Sequence, residues 1–385
     1  MPASEVVTEL SQLSPLAGEW DELASANQLP LMAPACVMAW WRNLAPARAQ
    51  PRVIVVRDGG RLVGLAPFYL QPGWRGGGLG LRLPGIELGG RLAPLVAAGH
   101  EPAVAGEIAS ALASCAARSG AVTLEGTPLS SDWAAALGDG WPGRRRPASR
   151  RYQVSGCPTV SLREDSFEAW LSAKSSNFRR EMRRLRRQFI AAGGTTRSST
   201  VESLPSDIDL FVRLHVARWE GRGSSSFVGL GERLAGVLGD MGHALLEQEG
   251  RFRMRMLEVD GEPISAQLFL AAGGRVLYIN GGWDERFAKL KPSMLGILDA
   301  IEEGFERGES RVDLGLGEQS YKLRFADDSD PVAWTILTPV GMRLPLTLLR
   351  TAPLRGGAAL RNLIKARLSE QQLARLMKLR EALQR

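Results

Sequence analysis

The side chains best suited to chemistry lie between Tyr278 and Arg324 of the 385-residue chain. Asp313, Glu318, Tyr321, Lys322 and Arg324 follow one another closely, and a carboxylate and a phenol so near in sequence can serve as general base and general acid. The same residues, paired as Asp with Lys or Glu with Arg, would simply brace a loop, and composition alone favours that reading. Upstream, Tyr278, Asn280 and Asp284 occupy a strand-like run and its loop, and can face the same cleft. Next come Lys289, Lys291, Pro292, Ser293 and Met294, which read as a helix start. Proline suits the first turn, and the free amides near Ser293, Met294 and Leu295 would favour a phosphate. An ordinary helix start beside solvated lysines explains the spacing equally simply. Gly281-Gly282 and Gly315-x-Gly317 allow a ligand to approach the backbone.

Positioning these groups requires a strand–helix–strand unit. Phe252 to Val259, Ile264 to Ala271 and Arg275 to Gly281 read as three strands, turned at Asp260-Gly261 and Gly273-Gly274. A helix over Ser293 to Arg307 and strands at Val312 to Leu316 and Val332 to Thr338 follow. This order sets a helix N-terminus beside two strand ends, where an anionic cofactor and an acceptor can meet. Before them come a strand near Gln153 to Leu162 and helices over Asn177 to Ile190 and Ile208 to Trp219. A third helix, Phe227 to Gln248, is weakened by Gly231, Gly236, Gly239 and Gly242.

The first half follows a similar coarse plan. Helices near Trp20 and over Cys36 to Leu44 precede a hairpin turned at Asp58-Gly59-Gly60. A strand at Ile86 to Leu88, a helix over Pro102 to Ser119, a strand at Val122 to Glu125 and a helix near Ser131 to Leu137 complete it. The expected fold class is α/β (α+β). Two tandem domains, 1–150 and 151–341, each hold a mixed, mostly antiparallel sheet flanked by helices, and a basic helical tail spans 342–385.

The net charge of +7 is uneven. Met342 to Arg385 carries +8 and Lys174 to Gln188 carries +6, which leaves the rest of the chain at −7. Such clustering speaks of local contacts and argues against DNA as a partner. Along the second basic run, Phe178, Met182, Leu185 and Phe189 form one apolar face, and six arginines spread over the remainder. Arginine forks suit phosphates, so a nucleotide- or lipid-pyrophosphate-linked acceptor is one reading and a solvated basic face is the other. In the tail, a basic amphipathic pattern suits an anionic membrane surface or packing on protein. Arg350 and Arg355 suggest a cyclic di-GMP regulator more weakly. Cys36, Cys115 and Cys157 show neither zinc spacing nor a disulfide framework, so no metal and a reducing compartment are expected. Val332 to Leu349 is the longest apolar stretch, broken by Pro339, Arg343 and Pro345. The expected location is cytoplasmic, or peripheral on the inner face of the cell membrane. His215 lies among Leu214 and Trp219 and reads as a packed residue rather than a base.

Several runs together carry a family resemblance. Tyr278, Gly282-Trp283-Asp284, Phe287-Ala288-Lys289 and Pro292, followed by Asp313, Gly315, Gly317-Glu318 and Tyr321-Lys322, resemble the CelD/BcsL group of GNAT acyltransferases. Arg179 to Arg187, Leu214-His215-x-x-Arg218-Trp219 and Gly261-x-Pro263-Ile264-x-Ala266 match as well. The resemblance runs from about Ala169 to Leu337, and is looser in the first half. It implies tandem GNAT-like domains similar to Fem-type transferases, with acetyl-CoA or a longer acyl-CoA as donor. It also implies an amino-sugar acceptor in exopolysaccharide synthesis, including the holdfast branch. Asn280, Gly281, Lys289, Lys291, Ser293 and Met294 would hold the donor. Asp313 or Glu318 would take the amine proton, and Tyr321 would protonate the thiolate. Arg179, Arg183, Trp219, Tyr278, Asp284 and Lys322 would meet the acceptor. The sequence departs from the pattern at Ser293, where many relatives have glycine. The alternatives are a Fem-type transferase fed by aminoacyl-tRNA and a non-catalytic GNAT module that senses a nucleotide.

Overall fold

A computed structural model of the chain describes residues 1–71, 80–219, 226–248 and 250–340. The expected helical tail, with Arg350 and Arg355, lies outside them. In chain order the first elements are β1 (Ala3–Val7), α1 (Ala17–Ala26), α2 (Pro34–Asn43), β2 (Gln50–Asp58) and β3 (Arg61–Gln71). Then come β4 (Gly80–Arg82), β5 (Leu95–Val96), α3 (Glu101–Ser119), β6 (Ala121–Pro128), α4 (Trp133–Asp139) and β7 (Ala148–Ser155). The second series is β8 (Pro158–Ser161), α5 (Phe167–Ala173), α6 (Ser176–Ala191), β9 (Gly194–Ser198), α7 (Leu204–Trp219) and α8 (Arg233–Leu245). It continues through β10 (Phe252–Val259), β11 (Glu262–Ala272), β12 (Arg275–Trp283), α9 (Pro292–Glu306), β13 (Arg311–Asp313), α10 (Ser320–Phe325) and β14 (Asp328–Ser329). The last described strand is β15 (Val332–Thr338).

Two mixed sheets result, each flanked by helices. The first has the order β1-β2-β3-β4-β6-β15-β7, with β5 on β3, and the second runs β14-β8-β13-β12-β11-β10-β9. The chain divides at Ser155/Gly156, and from Pro331 it returns to the first unit. This differs from the division expected at 150 and 341. All seven residues of β15 are buried, so both faces of the strand are covered, and its two edges pair with β6 and β7 in the first sheet. The single strand expected near Gln153 to Leu162 is two strands, one in each sheet. Ile86 to Leu88 is a turn rather than a strand. The helix expected from Phe227 begins only at Arg233, because Gly231 takes a positive φ of 56° and breaks it.

In the second unit, β9 to β12 form an antiparallel meander. Its turns fall on the two Gly-containing pairs read from the sequence. Ser175 caps α6, its hydroxyl accepting the Phe178 amide at 3.3 Å. The predicted apolar face of α6 is buried: Phe178, Met182, Leu185 and Phe189 share a core with Phe269, Tyr278, Leu295, Ile297 and Phe325. Helix α9 lies in the same core and links β12 to β13.

Candidate active site

The site arises where two parallel strands part. Strands β12 and β13 pair through three registers only, the last being Leu277 with Asp313. Strand β12 runs on to Trp283, while β13 stops at Asp313. Against β11, the register of β12 passes from Phe269–Tyr278 to Leu268–Asn280, so Ile279 is a bulge. A bulge bends its strand, and here it carries β12 away from β13 just past the last shared pair. After β13 the chain folds back: Gly315 has φ of +73°, and a Cβ there would stand 2.7 Å from the Tyr278 carbonyl oxygen. Only glycine fits that approach.

Asp313 is wholly buried at the end of β13. Its Oδ1 accepts the Gly315 amide at 2.8 Å, and its Oδ2 faces the Arg275 guanidinium at 3.5 Å. It therefore holds the loop in place and does not face solvent, contrary to the expectation of a proton acceptor at Asp313. Glu318 is exposed, and its carboxyl packs over Gly156. Lys322 is buried and donates from Nζ to the Leu316 carbonyl at 2.9 Å. It lies 5.8 Å from the Tyr278 ring. Burial holds its ammonium down to about 8, against the opposing pull of Asp313.

The hydroxyls of Tyr278 and Tyr321 are hydrogen-bonding neighbours. Burial pushes Tyr321 up to about 12 and Tyr278 well above the ordinary phenol range. Tyr321 stays partly exposed, whereas Tyr278 is buried against Phe269, with ring centroids 5.2 Å apart. Tyr278 therefore orients Tyr321 instead of meeting an acceptor itself.

The start of α9 is set by Lys291, which adopts a left-handed φ of 50° just before Pro292. The Met294 amide already donates to the Lys291 carbonyl at 2.9 Å, which leaves the Ser293 amide without an acceptor among the described residues. Lys291 Nζ donates to Glu181 Oε1 at 2.6 Å, and Arg324 engages the other carboxylate oxygen. These two bonds, Arg324's the stronger, hold Glu181 down to about 2. The Lys291 charge expected for a phosphate is thus already neutralised. Asn280 Oδ1 accepts the Gly281 amide at 3.0 Å, which ties together two of the groups expected to hold the donor. Lys289 is exposed.

Several residues expected at an acceptor brace the fold. Arg179 donates to the Ser172 and Lys174 carbonyls at 2.7 and 2.5 Å and so locks the α5–α6 turn. Arg183 pairs with Glu168 at 3.3 Å on the surface. Asp284 caps the next turn, accepting the Arg286 amide at 2.9 Å. Trp219 is half-buried, 6.2 Å from the His215 ring. His215 is fully buried, and its Nδ1 lies 3.1 Å from the Gly281 carbonyl. Burial lowers its pKa, so it remains neutral and packed, as its helix position suggested.

Sequence reasoning missed Gln267. Buried in β11, it donates from Nε2 to the Pro292 carbonyl at 3.2 Å, while its Oε1 is buried without a partner. Gly296 leaves the space that this side chain fills. The signal was present: one amide inside an apolar strand. Arg275 and Glu181 were missed too, because each draws its meaning from partners distant in sequence.

Residues 176–323, from the start of α6 into α10, match the model of an acetyltransferase (GNAT) domain. The second unit carries a GNAT domain. No curated protein matches the chain. Among solved structures, FemX is 11% identical with a TM-score of 0.59, over 90% of this chain and 99% of its own. The C-terminal domain of an Agrobacterium fabrum protein described as a lysylphosphatidylglycerol synthetase is 10% identical with a TM-score of 0.56, over 89% of this chain and 97% of its own. L-PGS from Bacillus licheniformis is 14% identical with a TM-score of 0.50, over 80% and 89%. At these identities the likeness is one of fold.

GNAT domains as a class take acyl-CoA as donor. The residues of this one fit such a group at two points. Strand β12 past Tyr278 runs clear of β13 and offers an edge to a pantetheine amide. The Ser293 amide at the start of α9 is open to a phosphate. Among the described residues, no group of three or more His, Cys, Asp or Glu side chains is placed to hold a metal.

Proposed function

We propose that the chain transfers an acyl group from acyl-CoA to the amine of an amino sugar carried on a nucleotide or lipid, in the assembly of a cell-envelope polysaccharide. The observation that carries this reading is the pair Tyr278–Tyr321, hydrogen-bonded beside the parting of β12 and β13. Bound there, the thioester supplies an activated acyl carbon. The chain's own residues have three tasks. Exposed Glu318 accepts the proton that the attacking ammonium must lose. Tyr321, held by Tyr278 and still protonated at neutral pH, gives its proton to the departing sulfur. Lys322 and Asp313, with Arg275, fix the loop that carries Glu318 and Tyr321. Of the two carboxylates expected to take the proton, the exposed Glu318 is the better fit, and Asp313 becomes a positioning residue.

One observation favours a second reading, a transferase fed by aminoacyl-tRNA. Glu181 neutralises Lys291 at the start of α9, where a CoA diphosphate would otherwise find a free cation. FemX and the lysylphosphatidylglycerol synthetases share the fold. The experiment that separates the two is mass spectrometry of products from acetyl-CoA, or from charged tRNA, with a panel of nucleotide-linked amino sugars. Acylated sugar from acetyl-CoA is the expected result. Product only from charged tRNA, or none from either donor, would contradict the proposal.

A further inference from the structure

We propose that the exposed face of α6 is a docking surface for an anionic lipid membrane. The proposal goes beyond the acyl-transfer reading and does not depend on which donor the chain uses. Arg180, Arg184 and Arg187 recur at i, i+4 and i+7, so they form one stripe about 10 Å long on the helix. All three are exposed, on the side away from the core-facing Phe178, Met182, Leu185 and Phe189. Lys289 and Leu290 line one groove with Arg184, Gln188, Ala191 and Ala192, which carries the positive surface on to the turn before α9.

The other charges of the helix are engaged. Arg179 donates to backbone carbonyls, Arg183 pairs with Glu168, and Arg186 pairs with Asp299 and Glu302. Glu181, the single acid of α6, is taken by Lys291 and Arg324. Arg184, Arg187 and Lys289 have no acidic partner among the described residues, and Arg180 donates to the neutral Asn177 side chain at 2.8 Å. Four such cations on one surface create a positive potential that attracts an anionic one. An apolar side chain beside them identifies the partner further. Ile190, one turn on from Arg187, is 70% exposed, whereas the other large apolar side chains of α6 are buried. An isoleucine among arginines suits the boundary between headgroups and acyl chains, where the cations meet phosphate and the side chain leaves water. An RNA held through unstacked bases would require exposed aromatic rings, and both aromatic residues of α6 are buried. The basic tail suits the same kind of surface, and two weak contacts hold where either alone is marginal.

The test is sedimentation of the full chain with vesicles of phosphatidylglycerol and phosphatidylcholine, and with vesicles of phosphatidylcholine alone. The parent should bind the anionic vesicles and not the neutral ones, and added salt should weaken binding. The triple variant Arg180→Gln, Arg184→Gln, Arg187→Gln should bind more than about tenfold more weakly although its tail is intact. A control, Arg145→Gln, Arg150→Gln, Arg151→Gln, removes the same charge from exposed positions of the first unit and should bind like the parent. Ile190→Ser should weaken binding about threefold, with a loss that salt does not change. All of these positions are exposed, so melting curves should coincide with the parent's. Equal losses in the triple variant and the control would reduce the effect to net charge and overturn the docking surface. A triple variant that binds like the parent overturns it as well. So does a parent that binds no anionic vesicle, whether or not it retains transfer RNA.

Discussion

Tyr321 and Asp313 were both read from the sequence as chemical residues, and the structure separates their roles by burial. Tyr321 is partly exposed and keeps a transferable proton, whereas Asp313 is sealed between Gly315 and Arg275. Tyr321→Phe should lower kcat about a hundredfold while changing the unfolding free energy by about 1 kcal/mol or less. Unchanged turnover would remove Tyr321 from proton transfer. Asp313→Asn should instead cost up to about 3 kcal/mol of stability, because Arg275 loses its fully buried carboxylate while Asp330 stays at 3.6 Å; denaturant unfolding at neutral pH measures it. An Asp313→Asn protein as stable as the parent, yet inactive, would restore Asp313 as the base. Lys322 adds a pH signature. Its folded-state value of about 8 lies below the ordinary lysine value of 10.5, so the unfolded chain holds the extra proton between them. Its burial therefore opposes folding most fully below pH 8, and that cost fades as pH rises towards 10.5. The stability difference between Lys322→Met and the parent should shrink across that window. A difference independent of pH would show that the lysine is not desolvated in the folded state.

At the scale of elements, most of what positions the site could be read in advance. The meander β10–β12, the basic helix α6 with its apolar face, and the proline-started α9 stand close to where periodicity and turn residues set them. Nothing in Tyr278-Ile279-Asn280 marks Ile279 as a bulge, because that depends on pairing with β11. Gln267 was equally silent, because an amide in a strand gains its role only when α9 docks over it. Gly296→Ala should force Gln267 aside and misplace the first turn of α9, with a loss of about 2 kcal/mol and a higher KM for the donor. A variant with the parent's KM and stability would show that this contact does not set the start of α9. Glu181→Gln probes the neighbouring tie. A carboxyl held at about 2 contributes stability above its unfolded value near 4.5, and loses it as pH falls through 2. The variant should lose about 1 kcal/mol at pH 7 and show less acid sensitivity.

Across the whole molecule, the expectation of two mixed sheets with helices was sound, but the boundaries were not. A strand at residue 332 reads alike whichever sheet it joins, and only its complete burial between β6 and β7 explains its return to the first unit. No helix among the described residues is long and apolar enough to cross a membrane. The basic pattern of the tail nevertheless suits an anionic surface, so a chain lacking residues 355–385 should fail to sediment with anionic vesicles that carry the full chain down. Equal sedimentation would refute a tail anchor. Acyl-CoA that enters where β12 and β13 part must shield the backbone on both sides of that gap. Amide hydrogen exchange with and without acetyl-CoA tests it most directly. Protection should concentrate in peptides spanning 278–283, 289–296 and 313–321, with β1 to β3 unaffected; protection elsewhere, or none at saturating acetyl-CoA, would contradict it.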